Sequence, residues 1–363
     1  MTKPALALAV GVLAPTAVLA HGEAHTPADF EFWREWSARP GVVIPIALST
    51  TIYLTGLYRV WGRAGVGRGL RRGHAAAFAA GIATLVAALM SPLDTVTSAL
   101  FWLHMVQHLV LILVAAPLLV LGRPEVALLW ALPARWRGSA GRLERAAARS
   151  IAGNDDASGP GPLLVILVAT GVLWAWHMPA LYDLAVRNDA VHTAEHAGFV
   201  ITAVLFWATV LRLRRRERQG HGLRILYVFA MALQGSILGA LITFAARPLY
   251  ESHAEIPRAW GMEPLADQQL AGLIMWVPPA LLYVGVAAYL LLGWLDAVDG
   301  APPRQERRRG ARRAAVSSYA SSQTAASSST APPAAGAAQP LTAGLQDPLQ
   351  ILQSRPQRTQ GGS

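Results

Sequence analysis

The sequence predicts an all-α fold, a polytopic bundle of about seven transmembrane helices that follows an N-terminal signal sequence. Hydrophobic residues make up 53% of the 363 residues and charged residues only 14%, whereas a soluble domain usually carries about 25% charged residues. The net charge of +10 comes from arginines that cluster between long apolar stretches, a pattern typical of cytoplasmic loops and not of a nucleic-acid-binding surface. Backbone groups in lipid must bond within their own segment, so the apolar stretches are predicted to be helices.

Residues 1–20 have the features of a signal peptide. Lys3 gives a positive start, an apolar stretch follows, and Val18-Leu19-Ala20 resembles a cleavage site with small residues. Cleavage after Ala20 would leave residues 21–40 as an extracytoplasmic N-terminal segment. An uncleaved anchor is the alternative interpretation of the same stretch.

Seven later stretches are each long enough to cross about 30 Å of hydrocarbon, which takes roughly 20 residues. Together they predict a transmembrane domain over residues 41–296. The predicted spans are Val42–Trp61, His74–Met90, Ala99–Leu121, Pro162–Ala180, Val191–Leu211, Leu223–Phe244 and Gln268–Leu295.

The charges of the loops predict the orientation of the chain. Arginines are concentrated after spans one, three, five and seven, whereas the alternate loops contain at most two each. The positive-inside rule then places the mature N-terminus outside and the C-terminus inside, as in a multi-pass protein of the bacterial plasma membrane. The Arg-rich stretch Pro133–Ile151 is predicted to lie as an amphipathic helix on the inner leaflet. Residues 297–363 are rich in Arg, Ser, Ala, Pro and Gln, and are predicted to form a disordered cytoplasmic tail.

Five histidines in spans three, four and five are predicted to lie toward the outer side. His104 and His108 in span three are four residues apart and share a helix face, and His192 and His196 repeat this spacing in span five. His177 ends span four. Ionisable side chains within a membrane usually face the interior of the bundle, so the predicted topology combines these residues into one candidate metal site. Histidines that merely hydrogen-bond between packed helices are the alternative.

Three carboxylates accompany these histidines on the outer side. Glu195 directly precedes His196, whereas the zinc-protease pattern places Glu directly after the first His, so protease activity is rejected. Glu195 is expected either to accept a hydrogen bond from the non-ligating nitrogen of an imidazole on another helix, and so to orient that ring, or to be a solvated acid. Asp94 and Asp267 open predicted helices, and they are expected to cap these helices or to face the histidines.

The absence of cysteine excludes thiolate metal sites, so any metal must be held by His, Met or carboxylate groups. Imidazole suits copper, zinc, iron and nickel, and thioethers favour Cu(I). Met105 and Met178 are weaker ligand candidates on the same side, and they favour copper over zinc. After signal cleavage the terminal amine with His21 and His25 could chelate Cu(II), although a polar flexible start is the simpler interpretation. A b-type haem between two histidines is a further alternative.

Six motifs occur along the chain, namely Ser91–Asp94, His104–His108, Pro117-Leu118 with Gly122–Pro124, Trp176–Pro179, His192 with Glu195-His196, and Asp267–Trp276. Together and in this order they resemble the polytopic CtaG family of caa3-type cytochrome c oxidase assembly factors. The resemblance covers about residues 40–295. It implies a non-enzymatic seven-helix membrane protein that is needed to form active cytochrome c oxidase, with copper delivery as the expected role. The implied partners are oxidase subunits, an extracytoplasmic copper donor and membrane lipid.

Two functions from other classes remain open on the sequence alone. A membrane redox protein would hold haem between spans three and five. A transporter of copper or a small molecule would need polar residues that continue inward from the histidines, and Gln234 is the main polar residue there.

Overall fold

The computed structural model describes residues 27, 30, 31, 33–152, 161–212 and 218–299. Within these ranges all regular secondary structure is helical, as predicted. The predicted signal peptide, His21, His25 and the tail from residue 300 onward lie outside the described residues. The α-helices are α1 Pro40–Ala64, α2 Arg72–Leu89, α3 Pro92–Thr97, α4 Phe101–Leu109, α5 Ala116–Leu121, α6 Pro124–Ala131, α7 Ala134–Ala152, α8 Gly161–Trp176, α9 Pro179–Arg187, α10 Asp189–Arg212, α11 Arg218–Thr243, α12 Ile256–Ala259 and α13 Pro264–Asp299.

Six helical segments are long and apolar enough to cross a membrane, namely α1, α2, α4 continued into α5, α10, α11 and α13. The predicted fourth span, Pro162–Ala180, is not one continuous helix. Helix α8 ends at Trp176, and α9 begins at Pro179 with a bend of 71° between the two axes. Proline has no N–H to donate and suits the first turn of a helix better than its interior, which explains the break. The described residues contain seven spans only if α8 and α9 together cross the membrane as a single bent span.

The third span also departs from a regular α-helix. Between α4 and α5 the segment Val110–Ala115 is π-helical, directly before Pro117, whose missing N–H disturbs the preceding turn. The indole nitrogen of Trp207 in α10 donates a hydrogen bond of 2.8 Å to the carbonyl of Ile112 within this segment. The wider turn, a feature often found at functional sites, therefore joins the helix of His104 and His108 to α10.

Small residues allow the closest helix contacts. A Cβ atom on Gly272 of α13 would lie 2.6 Å from the backbone nitrogen of Thr243 in α11 and 2.8 Å from the carbonyl oxygen of Gly239. A Cβ atom on Gly56 of α1 would lie 1.9 Å from the carbonyl oxygen of Ala127 in α6. These glycines bring backbones together as small residues do in membrane helix pairs.

Large apolar side chains are exposed along several helices, among them Leu48, Leu167, Phe229 and Leu281. A soluble monomer rarely exposes extensive apolar surface, so these positions fit a bundle that is surrounded by lipid. The Arg-rich helix predicted at Pro133–Ile151 forms as α7. Its Arg137 donates to the carbonyl oxygens of Trp130 and Leu132, which joins α7 to the end of α6.

Candidate metal centre

The five predicted histidines come together in the interior, and each is at most 8% exposed. Helix α4 supplies two of them and α10 supplies two, each pair on one face as the spacing predicts. His177 lies in the short break between α8 and α9. The starts of α4 and α10 and this break therefore meet at one end of the bundle, which we call the cluster end. The members are His104, His108, His177, His192 and His196.

The imidazoles of α4 and α10 contact each other directly. Ring centroids are 5.4 Å apart for His104 and His192, and 5.3 Å apart for His108 and His196. Ligand atoms of His104, His108 and His196 all lie within 4.8 Å of one another, as do those of His104, His192 and Glu195. Metal–imidazole bonds are about 2.0–2.1 Å long, so small side-chain movements would bring either set onto one ion. His104 belongs to both sets.

Glu195 occupies the middle of this arrangement. It is fully buried, so the interpretation as a solvated acid is wrong. Its Oε1 lies 3.7 Å from Nε2 of His108 and 4.0 Å from Nε2 of His104. The carboxylate therefore lies among the imidazoles as a potential direct ligand. The sequence had predicted only a hydrogen-bond acceptor that orients one imidazole.

Several polar atoms at the centre are buried without a hydrogen-bond partner. Buried polar groups are nearly always hydrogen-bonded, and each exception calls for an explanation. A cation would accept one lone pair from each imidazole and one from the carboxylate, and it would offset the buried carboxylate charge. The atoms are Nε2 of His104, both ring nitrogens of His108, Nε2 of His196, and Oε1 and Oε2 of Glu195.

His177 is oriented for ligation but lies at the margin. Its Nδ1 is 2.7 Å from the carbonyl oxygen of Leu173, so Nδ1 carries the proton and Nε2 holds the lone pair. That Nε2 is buried without a hydrogen-bond partner. The ring centroid is 6.4 Å from that of His108. His177 could therefore join an ion held by the four histidines of α4 and α10 only after a larger movement.

The two predicted methionine ligands do not join the cluster. Met105 is buried in an apolar cluster with Phe101, Tyr182 and Tyr250, and Met178 is 60% exposed. Met105 is separated from the His104 face because adjacent helical residues point about 100° apart. The geometry therefore gives no support for a preference for copper based on thioether ligands.

Asp94 and Asp267 have roles that differ from capping their own helices. Ser91 caps α3, whereas Asp94 forms a buried ion pair with Arg39 and accepts a 3.0 Å hydrogen bond from Gln107. Asp267 of α13 accepts the N–H groups of Phe101 and Trp102 at 2.9 and 3.0 Å. It thus caps α4, a neighbouring helix, because the first N–H groups of any helix need an acceptor from elsewhere.

The family model for the cytochrome c oxidase caa3 assembly factor, Caa3_CtaG, matches residues 51–297, about two thirds of the chain. The chain belongs to this family. All five histidines of the cluster and Glu195 lie within the matched range.

One relative of this CtaG-family protein is the uncharacterized protein ML1998 of Mycobacterium leprae (strain TN). The two are 26% identical over 224 residues, which cover 61% of this chain and 34% of the relative. The chain therefore spans about a third of the relative's length. No solved structure is significantly similar to the chain.

Arg39 was not predicted from the sequence, although it joins the CtaG-family cluster. It precedes α1, and its Nη1 lies 3.5 Å from Nδ1 of His192. A guanidinium only donates, so this Nδ1 accepts, and ligation through Nε2 would require the ring proton to move to Nδ1 and this contact to break. The only signal in the sequence was an arginine on the side where the loops contain few.

His253 was also missed. It lies in the 3-10 turn Glu251–His253 between α11 and α13 and is almost completely buried. Burial lowers the pKa of His253 to about 4, against the opposing effect of Asp183, so the imidazole is neutral at physiological pH. No periodic neighbour or motif singles this residue out in the sequence.

The ion pair of Arg39 and Asp94 predicts a stability effect. Replacing Arg39 with Gln removes the guanidinium that pairs with the buried Asp94 carboxylate, so we expect a loss of about 3 kcal/mol of unfolding free energy. The control is Arg34→Gln, because the pair of Arg34 with Glu31 is exposed and is worth about 1 kcal/mol or less. Unfolding of the purified proteins in detergent measures both, and equal stability of the two variants would contradict the prediction.

Proposed function

We propose that this CtaG-family protein binds copper at the histidine cluster and supports insertion of the metal into cytochrome c oxidase. The observation that carries the proposal is the fully buried Glu195, which lies within 4.0 Å of two imidazoles and has no hydrogen-bond donor. Such a carboxylate is costly unless a cation accompanies it. Copper is the metal proposed because the family assembles an oxidase that uses copper.

The charge of the donor set supports a monovalent ion. Imidazoles must be neutral to ligate, so the cluster contributes one negative charge, from Glu195. Arg39 balances the buried Asp94, and the second carboxylate beside Arg39, that of Asp189 at 3.9 Å, is partly exposed and screened by solvent. Cu(I) would therefore make the buried site neutral, whereas a divalent ion would leave one uncompensated positive charge in a low-dielectric interior.

We further propose the orientation that the loop arginines predict, with the cluster end on the outer side of the bacterial plasma membrane. An extracytoplasmic donor would then supply copper, and an oxidase subunit would receive it. The protein would act without catalysing a reaction, because transfer requires only ligands that exchange. Two overlapping ligand sets that share His104 suit this exchange better than one closed set of ligands.

The alternatives receive less support. A haem would have to separate imidazoles that contact one another directly, such as His108 and His196. A transport path would need polar groups further along α5 and α10, yet Ala116, Phe206 and Trp207 belong to an apolar cluster there. Gln234, the main polar residue inward from the histidines in the sequence, accepts a hydrogen bond of 3.1 Å from the indole of Trp174. Its side-chain oxygen is therefore already engaged within the bundle.

The proposed function is tested in cells. In a His104→Ala/His108→Ala variant, oxidase maturation and oxidase copper content should both be lost, while the protein stays in the membrane. Met178→Leu is the matched control and should mature the oxidase normally, since that thioether is exposed. Normal oxidase copper in the double variant would refute transfer, and a Soret band in the visible spectrum of the purified protein would favour haem.

Direct metal analysis provides an independent test. The purified wild type should retain copper, and a His192→Ala/His196→Ala variant should bind copper at least about 100-fold more weakly. Even groups that only hydrogen-bond to a metal ligand typically change the metal affinity 10–100-fold. Equal copper content in the two proteins would contradict the assignment of these imidazoles as ligands.

A further inference from the structure

The turn that carries His253 is held in place by a buried carboxylate of α9. Asp183 accepts the backbone N–H of Ser252 at 3.0 Å, the hydroxyl of Ser252 at 2.6 Å and the N–H of Glu251 at 3.3 Å. The Ser252 hydroxyl also lies 3.2 Å from Nδ1 of His253. Three anchoring bonds thus fix a short turn whose last residue is a buried imidazole.

One aromatic ring contacts both His253 and the histidine cluster. The ring centroid of Tyr182, a fully buried residue of α9, lies 5.7 Å from that of His253 and 5.3 Å from that of His104. Phe101 contacts both Tyr182 and His253. The rings of His104 and His253 also approach the backbone of Thr97. The two imidazoles therefore face a common region.

Polar atoms in this region lack partners, as they do in the cluster. Nε2 of His253 and the hydroxyl of Tyr182 are both buried without a hydrogen bond, and so is Nε2 of His104, whose ring contacts the same tyrosine. Packing alone gives no reason to bury an imidazole nitrogen and a phenol hydroxyl unpaired. A ligand that passes between them would satisfy both.

We propose that His253, with Tyr182 beside it, is a loading station that receives copper and passes it to His104 of the cluster. The inference rests on the proposed function. Nε2 of His253 binds the ion first, the bond from His104 forms as the bond from His253 breaks, and His108 and His196 then complete the set. The copper keeps its oxidation state throughout, and the donor supplies Cu(I), a class of ion that accepts imidazole ligands.

The test separates the rate of loading from the capacity for copper. The purified full chain in detergent is mixed with a Cu(I)–chelator complex, and copper uptake is followed with time and at equilibrium. We expect His253→Gln to load at least tenfold more slowly than wild type but to reach the same stoichiometry. His196→Gln should lose stoichiometry. Glu255→Gln, an exposed change in the same loop, should match wild type in both measurements.

A second variant keeps the inference testable if His253→Gln does not fold. Tyr182→Phe retains the ring and removes only the unpaired hydroxyl, and it should also slow loading with unchanged stoichiometry. Wild-type rates in both variants would overturn the loading station. Loss of stoichiometry in His253→Gln would also overturn it, since His253 would then belong to the cluster. Absence of copper binding by the wild type would refute the proposed function itself.

Discussion

Replacing Glu195 with Gln is expected to lower the copper affinity at least about 100-fold and, without metal, to stabilise the protein. The amide keeps the size of the side chain but removes the negative charge that offsets the ion. Even groups that only hydrogen-bond to a metal ligand typically change the metal affinity 10–100-fold, and Glu195 lies directly among the imidazoles. Without metal the same change replaces a buried carboxyl group that has no hydrogen-bond donor with an amide that can donate to a neighbouring imidazole, so the free energy of unfolding should rise.

These opposite effects distinguish a ligand from a structural residue. Competition with a Cu(I) chelator measures the affinity, and thermal unfolding of the metal-free protein measures the stability. Glu255→Gln is the control, because that carboxylate is 84% exposed and should change neither quantity. If Glu195 had only a structural role, Glu195→Gln would lower the stability and leave the copper affinity unchanged. That result would refute copper binding by Glu195 at this site.

Replacing Gly272 with Ala is expected to cost about 3 kcal/mol of stability. The new Cβ would lie 2.5 Å from Oγ1 of Thr243, 2.6 Å from its backbone nitrogen and 2.8 Å from the carbonyl oxygen of Gly239. Two of these three atoms belong to the backbone of α11, so relief requires α11 and α13 to separate. Inserting atoms into close packing typically costs about 1–3 kcal/mol, and rigid backbone neighbours place this change at the upper end.

A glycine further along the same helix provides the control. A Cβ on Gly285 would meet no atom within 4 Å, so Gly285→Ala should leave stability unchanged or raise it, since Ala is the better helix former. Thermal unfolding in detergent compares the two variants. If both proteins unfold at the same temperature, close approach of α11 and α13 does not hold the bundle together. Gly272→Ala should also weaken copper binding, because α13 caps α4 through Asp267.

The membrane class and the histidine faces were predictable because they depend on local properties of the chain. Hydropathy predicts which segments enter lipid, and residues four apart share a helix face whatever surrounds the helix. The spacing of His104 with His108, and of His192 with His196, was therefore enough to pair them. The loop arginines then predicted that the ends carrying these pairs lie on one side, and the structure does place the pairs within contact distance of each other.

Other parts of the site depend on which segments pack together, and no local pattern encodes that. Glu195 reads like an ordinary acid at the start of a helix, and only the approach of α4 makes it a buried neighbour of two imidazoles. Asp267 caps a helix more than 160 residues earlier in the chain, and Arg39 reaches His192 from before the first span. The break at Pro179 was also missed, although it gives His177 its position.

Composition and helical periodicity act over a few neighbouring residues, so they were enough to predict helices, a membrane environment and two pairs of histidines. Tertiary packing brings the pairs of two helices together around one carboxylate, and it places His253, in a turn of the loop before α13, beside them. Those contacts arise from close helix packing at small residues and from hydrogen bonds between distant segments, so their energy appears only once the bundle has formed.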